Sequence, residues 1–295
     1  MRFRQLRAGK KHFPASNPFF STFFDFNFLF SKNENHIIYV RKLFFEVKQF
    51  FVSAFRLLYV FISGGEKCAV CGRIVFIHPV CGACLKGHFS VKRIMEKPRC
   101  VCCGKELVSM TEKCMKCRAN PVLQSTDCLI PLFSYRLWNR ELMFRWKMQG
   151  ERIFSPLFAK LLCEVLRKKG HSVLVPVPPR KGKIRKNGWD QIEELCTFLQ
   201  KRYGFRVLRI LERNSKGQQK KLNRTQRLES IKTAYSLCSA SVIQKALRPF
   251  SGKMLDSVCL IDDVCTTGST IESCARLLKE AGIKKVDAVT LFTVD

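Results

Sequence analysis

The most regular pattern of apolar and polar positions lies near the C-terminal end. Val258 to Ile261 is an unbroken apolar run closed by two acids, Asp262 and Asp263, and predicts a buried strand. Beyond it Ile271, Cys274, Leu278 and Ala281 recur at helical spacing, with Gly282 as the stop. Val286 to Val294 reads as a further strand. Strand, helix and strand in that order form a βαβ unit, hence a parallel sheet with its sites at the carboxyl ends of the strands. A second helical period runs from Leu43 to Ile62, through Phe44, Val47, Phe51, Ala54, Leu58 and Phe61. Glu46, Lys48 and Arg56 interrupt it, whereas a membrane span wants about 20 unbroken apolar residues. It therefore predicts a helix facing a core or a partner, with contact to a membrane surface as the less favoured reading. Residues 1–35 follow neither period.

Composition divides the chain into three. Residues 1–64 hold 15 of the 25 Phe and no Cys, a Phe-rich extension ending in the helix at 43–62. Residues 65–120 hold nine of the 16 Cys, and residues 121–295 have an ordinary α/β composition. Ser63-Gly64-Gly65 and Asn120-Pro121 punctuate the boundaries. A hydrophobic content of 46% indicates a folded chain, and a net charge of +30 suits a polyanion: a phosphate-rich small molecule, a nucleic acid or an anionic membrane surface. The basic start is followed by Phe-rich sequence broken by Pro14, Asn17, Pro18, Asp25 and Asn27, which is no cleavable signal. The chain reads as cytoplasmic, with thiols reduced or bound to metal.

The cysteines have order. Cys68-x-x-Cys71, Cys81-x-x-Cys84, Cys100-x-x-Cys103 and Cys114-x-x-Cys117 form an internal repeat, with Gly72-Arg73 and Gly104-Lys105 after the first pair of each half. Two residues between thiolates make a turn that aims both sulfurs at one ion, and the glycine permits a conformation that other residues resist. Two such knuckles complete a closed tetrahedral shell, so the pattern favours two structural zinc ions over disulfides or redox dithiols. Metal would then replace a core in a segment poor in large apolar residues. Sequential pairing is the simplest, a crossed one stays open, and Cys102 makes the third knuckle ambiguous.

Between the C-terminal strand and helix sits Thr266-Thr267-Gly268-Ser269-Thr270. Small hydroxyl residues and a glycine there expose backbone N–H groups at a helix N-terminus, a ready anion site. Adjacent acids repel each other unless hydroxyls or a cation receive them; a ribose offers two hydroxyls, and Mg²⁺ could share the charge.

This string resembles the phosphoribosyl pyrophosphate (PRPP) signature of type I phosphoribosyltransferases. The resemblance implies that Asp262 and Asp263 hold the ribose hydroxyls and Thr266, Thr267, Gly268, Ser269 and Thr270 the 5-phosphate. Purine-salvage members carry an acid where Thr266 stands, which argues against that branch. Further blocks are similar to the ComF competence family: the cysteine knuckles, Tyr135, Glu141 to Gly150, Val175-Pro176-Val177-Pro178, Gly188-Trp189-Asp190-Gln191, and Gln219, Leu222, Arg227 and Ala234-Tyr235. The chain departs from that family's usual residues at Asn187, Trp189, Asp190 and Ser230.

The fold this implies is α/β, a type I phosphoribosyltransferase-like parallel sheet with flanking helices, preceded by a small four-cysteine zinc-ribbon module. Arg180, Lys181 and Arg185 would then lie near a pyrophosphate. Arg213, Lys216, Lys220, Lys221, Arg224 and Arg227 would form a basic hood. The function implied is binding of PRPP or a related sugar phosphate, with Mg²⁺ and structural Zn²⁺, in DNA uptake and natural transformation. No residue stands out as acid or base for an incoming group, so the reading names no acceptor. The rival is a non-enzymatic role, binding single-stranded DNA or linking DNA-uptake or recombination proteins, in which Trp138, Trp146 and Trp189 either stack bases or fill the core.

Overall fold

A computed structural model of the chain describes residues 43–45, 47, 51, 54–107, 111–119, 121, 123–135, 138–180, 182–184, 188–214, 234–250 and 255–294. The chain divides into two units, Met1–Glu46 and Val47–Asp295, and the sheet, the cysteine units and the cavities all lie in the second.

Five strands make one wholly parallel sheet: β3 (Cys128–Ser134), β4 (Val173–Pro176), β5 (Arg206–Val207), β8 (Ser257–Cys265) and β9 (Lys285–Thr293), in the spatial order β3-β9-β8-β4-β5. Central strands of a parallel sheet are covered on both faces, which explains why β8 holds the unbroken apolar run Val258–Ile261 and why β9 is buried from Val286 to Phe292. The βαβ unit is present, with helix α8 (Ser269–Glu280) between β8 and β9. Right-handed crossovers put α8 on one face of the sheet. They put helices α5 (Ser155–Lys168) and α6 (Gln191–Lys201) on the other face, where the two pack together.

Each of these helices has a local cause. Pro156 stands at the start of α5, where a missing N–H costs nothing, and Phe158, Leu161, Leu162, Val165 and Leu166 bury its inner face. Asp190 caps α6, its Oδ1 accepting from the N–H of Ile192 at 3.0 Å and of Glu193 at 3.2 Å. Asp and Asn cap about equally well, so the Asp190 departure keeps the local structure. Helix α4 (Trp138–Lys147) is pinned by Trp146, which is fully buried. The Trp146 indole N–H donates to the Ser155 hydroxyl at 2.9 Å, which donates to Glu194 at 2.6 Å. Trp146 is thus a core residue, while Trp189 is partly exposed with the Arg152 guanidinium 5.7 Å from its ring.

Before the sheet come two cysteine units built alike. Strands β1 (Glu66–Lys67) and β2 (Ile74–Val75) form a short antiparallel pair in the first, and Arg99 bridges Glu106 in the second. Short helices α1 (Gly82–His88), α2 (Val91–Glu96) and α3 (Met115–Ala119) complete the segment. The second unit is fastened to the sheet, because Arg99 Nη1 donates to the carbonyls of Gly104 and Pro131, both at 2.9 Å. Gly104 is needed there twice over. Its φ is +66°, and a Cβ would lie 2.2 Å from the Leu129 carbonyl oxygen.

A separate antiparallel pair, β6 (Leu211–Arg213) and β7 (Tyr235–Leu237), packs with α8, and α7 (Ala240–Leu247) follows. Upstream, residues 54–62 are helical, but Phe55, Leu58, Phe61 and Ile62 are exposed and only Val60 of this stretch is fully buried. Within the described residues the stripe, expected to face a core or a partner, does not meet a core. Among those residues, no helix is long and apolar enough to cross a membrane.

Candidate functional site

The strand order places the site. From β8 the chain crosses to β9 on one side, and from β4 it crosses to β5 on the other, so connections diverge between β4 and β8. A crevice opens outside the carboxyl ends at such a switch point. The last rung between the two strands is the Val177 N–H on the Ile261 carbonyl at 3.0 Å. Beyond it lies a cavity of about 900 Å³, walled by Asp262, Asp263, Thr266 and Thr270 from the β8 side and by Pro178, Pro179, Arg180 and Lys183 from the β4 side.

At the floor the backbone turns from β8 into α8. Gly268 is the N-cap residue, with φ +82° and no side chain to occupy the helix end. The Thr267 and Ser269 hydroxyls meet at 2.9 Å, and the Ser273 hydroxyl donates to the Ser269 carbonyl at 2.8 Å. Among the described residues no chain acceptor takes the N–H groups of Thr266, Thr267, Thr270 or Ile271. Glu272, the one acid of the first turn, faces elsewhere and accepts from the Ser125 N–H at 2.7 Å and the Thr126 hydroxyl at 3.1 Å. The turn therefore keeps free donors at the positive end of a 12-residue helix. Thr270 and Tyr235 of β7 line the cavity together.

The acids are consecutive residues of a strand, so their side chains leave toward opposite faces. Asp263 meets Lys147 at the end of α4, Nζ to Oδ2 2.6 Å. Asp262 stands on the α8 side, where its charge helps push the Cys274 thiol up, after burial. Burial and the Asp263 charge push Asp262 itself up to about 8, against the pull of the Asp263 N–H and Lys147. Both carboxyls line the cavity, side chains able to meet ligand hydroxyls. That is a fitting match for two vicinal hydroxyls.

Around this floor stand cations. Arg180 lines the cavity, as does Arg213, whose guanidinium lies 5.3 Å from the Tyr235 ring. Lys183 donates to Asp190 at 2.6 Å and to Gln191. Lys181, Arg185, Lys216, Lys220, Lys221, Arg224 and Arg227 lie outside the described residues, as do Asn187, Gln219, Leu222 and Ser230. Lys147 and Lys183 carried no assigned role in the sequence. Lys147 meets Asp263 only through the tertiary fold, and Lys183 meets Asp190 seven residues on, at a spacing that belongs to no regular pattern.

The eight paired cysteines gather as two clusters, Cys68, Cys71, Cys81 and Cys84, and Cys100, Cys103, Cys114 and Cys117, with sulfurs within 4.8 Å of one another in each. The pairing is sequential, and Cys102 stands outside. Cys71 and Cys81 sulfurs are 3.7 Å apart, as are those of Cys103 and Cys114. Tetrahedral Zn–S bonds of about 2.3 Å put sulfurs about 3.8 Å apart, so both shells fit zinc. Gly72 and Gly104 have positive φ, +75° and +66°, and the Cys81 and Cys114 N–H groups donate to the Cys68 and Cys100 sulfurs, both at 3.3 Å. Burial pushes the Cys100 thiol up, but the N–H groups of Cys103, Cys114 and Cys102 bring it down to about 6. A cavity of about 410 Å³ separates the second cluster from the far side of the turn, with Lys105, Lys116 and Arg118 on its wall.

Residues 212–295, which contain the turn, match the phosphoribosyl transferase domain family. The chain is 28% identical over 160 residues to competence protein ComFC of Streptococcus pneumoniae, covering 54% of this chain and 66% of that protein. It is 27% identical over 205 residues to competence protein F of Haemophilus influenzae, covering 66% and 84%. A third match, 28% over 167 residues, is competence protein ComFC of Bacillus subtilis, covering 55% and 62%. The chain thus spans just under two thirds of the Streptococcus and Bacillus relatives.

Proposed function

Because this chain belongs to the ComF competence family, we propose that it binds PRPP or a related sugar phosphate and acts in DNA uptake and natural transformation. The observation that carries the reading is the set of unused N–H groups at the α8 turn beside Asp262 and Asp263, at the switch point of a parallel sheet. The turn takes the 5-phosphate and the acids take the ribose hydroxyls. A pyrophosphate then extends toward Arg180 and Arg213, and Mg²⁺ enters with that pyrophosphate rather than with the acid pair. Two structural zinc ions hold the cysteine units.

The test is titration calorimetry with PRPP plus Mg²⁺, comparing the native chain with Asp262→Ala/Asp263→Ala. Hydrogen bonds to charged groups contribute about 1.5–3 kcal/mol each, so the double change should weaken binding by roughly 100-fold or more. Equal affinity would end the reading.

A second reading is favoured by the basic residues around the cavity, where the same turn holds a phosphate of single-stranded DNA and the chain serves as a binding or adaptor protein without catalysis. It predicts binding of a short oligonucleotide that falls steeply with salt and tolerates the double substitution.

A further inference from the structure

We propose that Lys147 is the built-in counter-cation of the acid pair, letting the site take a ribose 5-phosphate without a divalent ion. This rests on the sugar-phosphate reading above. The position is prepared rather than incidental. Trp146, its neighbour, is fully buried, and the Lys147 carbonyl accepts from Gln191 Nε2 at 3.0 Å. Gln191 is itself only 3% exposed and takes a second bond from Lys183. A buried indole and a buried amide thus fix the end of α4, and from there the lysine reaches Asp263 at 2.6 Å.

The acids, by contrast, are poorly arranged to chelate. Asp263 is already engaged by Lys147, and a small divalent ion demands near-octahedral oxygens at about 2.0–2.1 Å, more than the remaining carboxyl supplies. Among the described residues the clusters that could hold a metal are the two sets of four cysteines, and neither acid belongs to one. The ammonium has three donors, of which Asp263 takes one, leaving donors for a ligand hydroxyl within the cavity that Lys147 lines. Lys147 therefore holds the Asp263 side chain oriented beside Asp262. It is a positioning residue for the sugar.

The experiment is calorimetric titration of the zinc-loaded chain with ribose 5-phosphate, in metal-free buffer and again with millimolar Mg²⁺. It compares the native chain, Lys147→Met and Lys147→Arg. The native affinity should change less than about twofold between buffers, whereas Lys147→Met should lose roughly tenfold in metal-free buffer and regain part of it with Mg²⁺. Lys147→Arg should stay within about threefold of native, because it restores the charge. Lys147 is partly exposed at the cavity, and circular dichroism with zinc content checks that Lys147→Met is folded. Native-like binding by folded Lys147→Met overturns the role of Lys147 and leaves the sugar-phosphate reading standing. A native chain that binds only with Mg²⁺ does the same, and a native chain that binds in neither buffer overturns both.

Discussion

Replacing Cys100 and Cys103 together with serine should reduce bound zinc from two ions per chain to one and melt the second cysteine unit, with the first unit unaffected. Four sulfurs close each cluster, and two remaining thiolates cannot complete a tetrahedral shell. Structural zinc contributes about 10–16 kcal/mol of apparent binding free energy in small domains, as much as the whole net stability of an ordinary one. Few large side chains of the unit are buried, so no apolar core remains to take over. The damage should reach the binding turn as well, because the unit walls the cavity on the turn's far side and is stapled to β3 through Arg99. Metal analysis gives the stoichiometry, and limited proteolysis should show new cuts around the second cluster while the sheet stays resistant. Two zinc ions retained per chain would contradict the assignment.

Gly268→Val is expected to weaken ribose 5-phosphate binding by roughly ten- to a hundredfold while changing the melting temperature little. At φ +82° a residue with a Cβ costs about 1–2 kcal/mol, and a β-branched one resists that region further. The backbone would relieve the strain by leaving the conformation in which the Thr267, Thr270 and Ile271 N–H groups stay unpaired. The strands on either side are held by ladders that do not involve the turn, so the sheet should survive. Calorimetry and a thermal melt on the same preparation separate the two effects. Unchanged affinity would show that the turn's shape does not matter to the ligand.

What could be read from the residues depended on how local the cause was. The βαβ unit was legible because burial on both faces of a parallel strand leaves an apolar run. Its boundary was less so: β8 continues through Asp262 and Asp263 to Cys265, since the ladder to β9 pairs Asp262 with Thr290 and Cys265 with Thr293 whatever the side chains are. Hydrophobicity marks where a strand is covered, while backbone hydrogen bonds decide where it stops. The cysteine clusters were legible because knuckle geometry is set within a few residues, glycines included. Lys147 could not be found in this way. Its partner sits on another element, and only the packing of Trp146 and Gln191 brings the two together. The apolar period read over residues 43–62 shows the same limit, since a periodic apolar stripe defines a face without saying what covers it. Phe55, Leu58 and Phe61 remain exposed.

The account stands on the Thr266–Thr270 bend gripping a phosphorylated sugar through its main chain. Titrating ribose 5-phosphate into isotopically labelled protein and following backbone amide resonances tests this directly. The resonances of Thr267, Gly268, Thr270 and Ile271 should move together and saturate, with those of Asp262 and Asp263 following and the cysteine units silent. Saturable binding that leaves these amides still and shifts resonances elsewhere would contradict it.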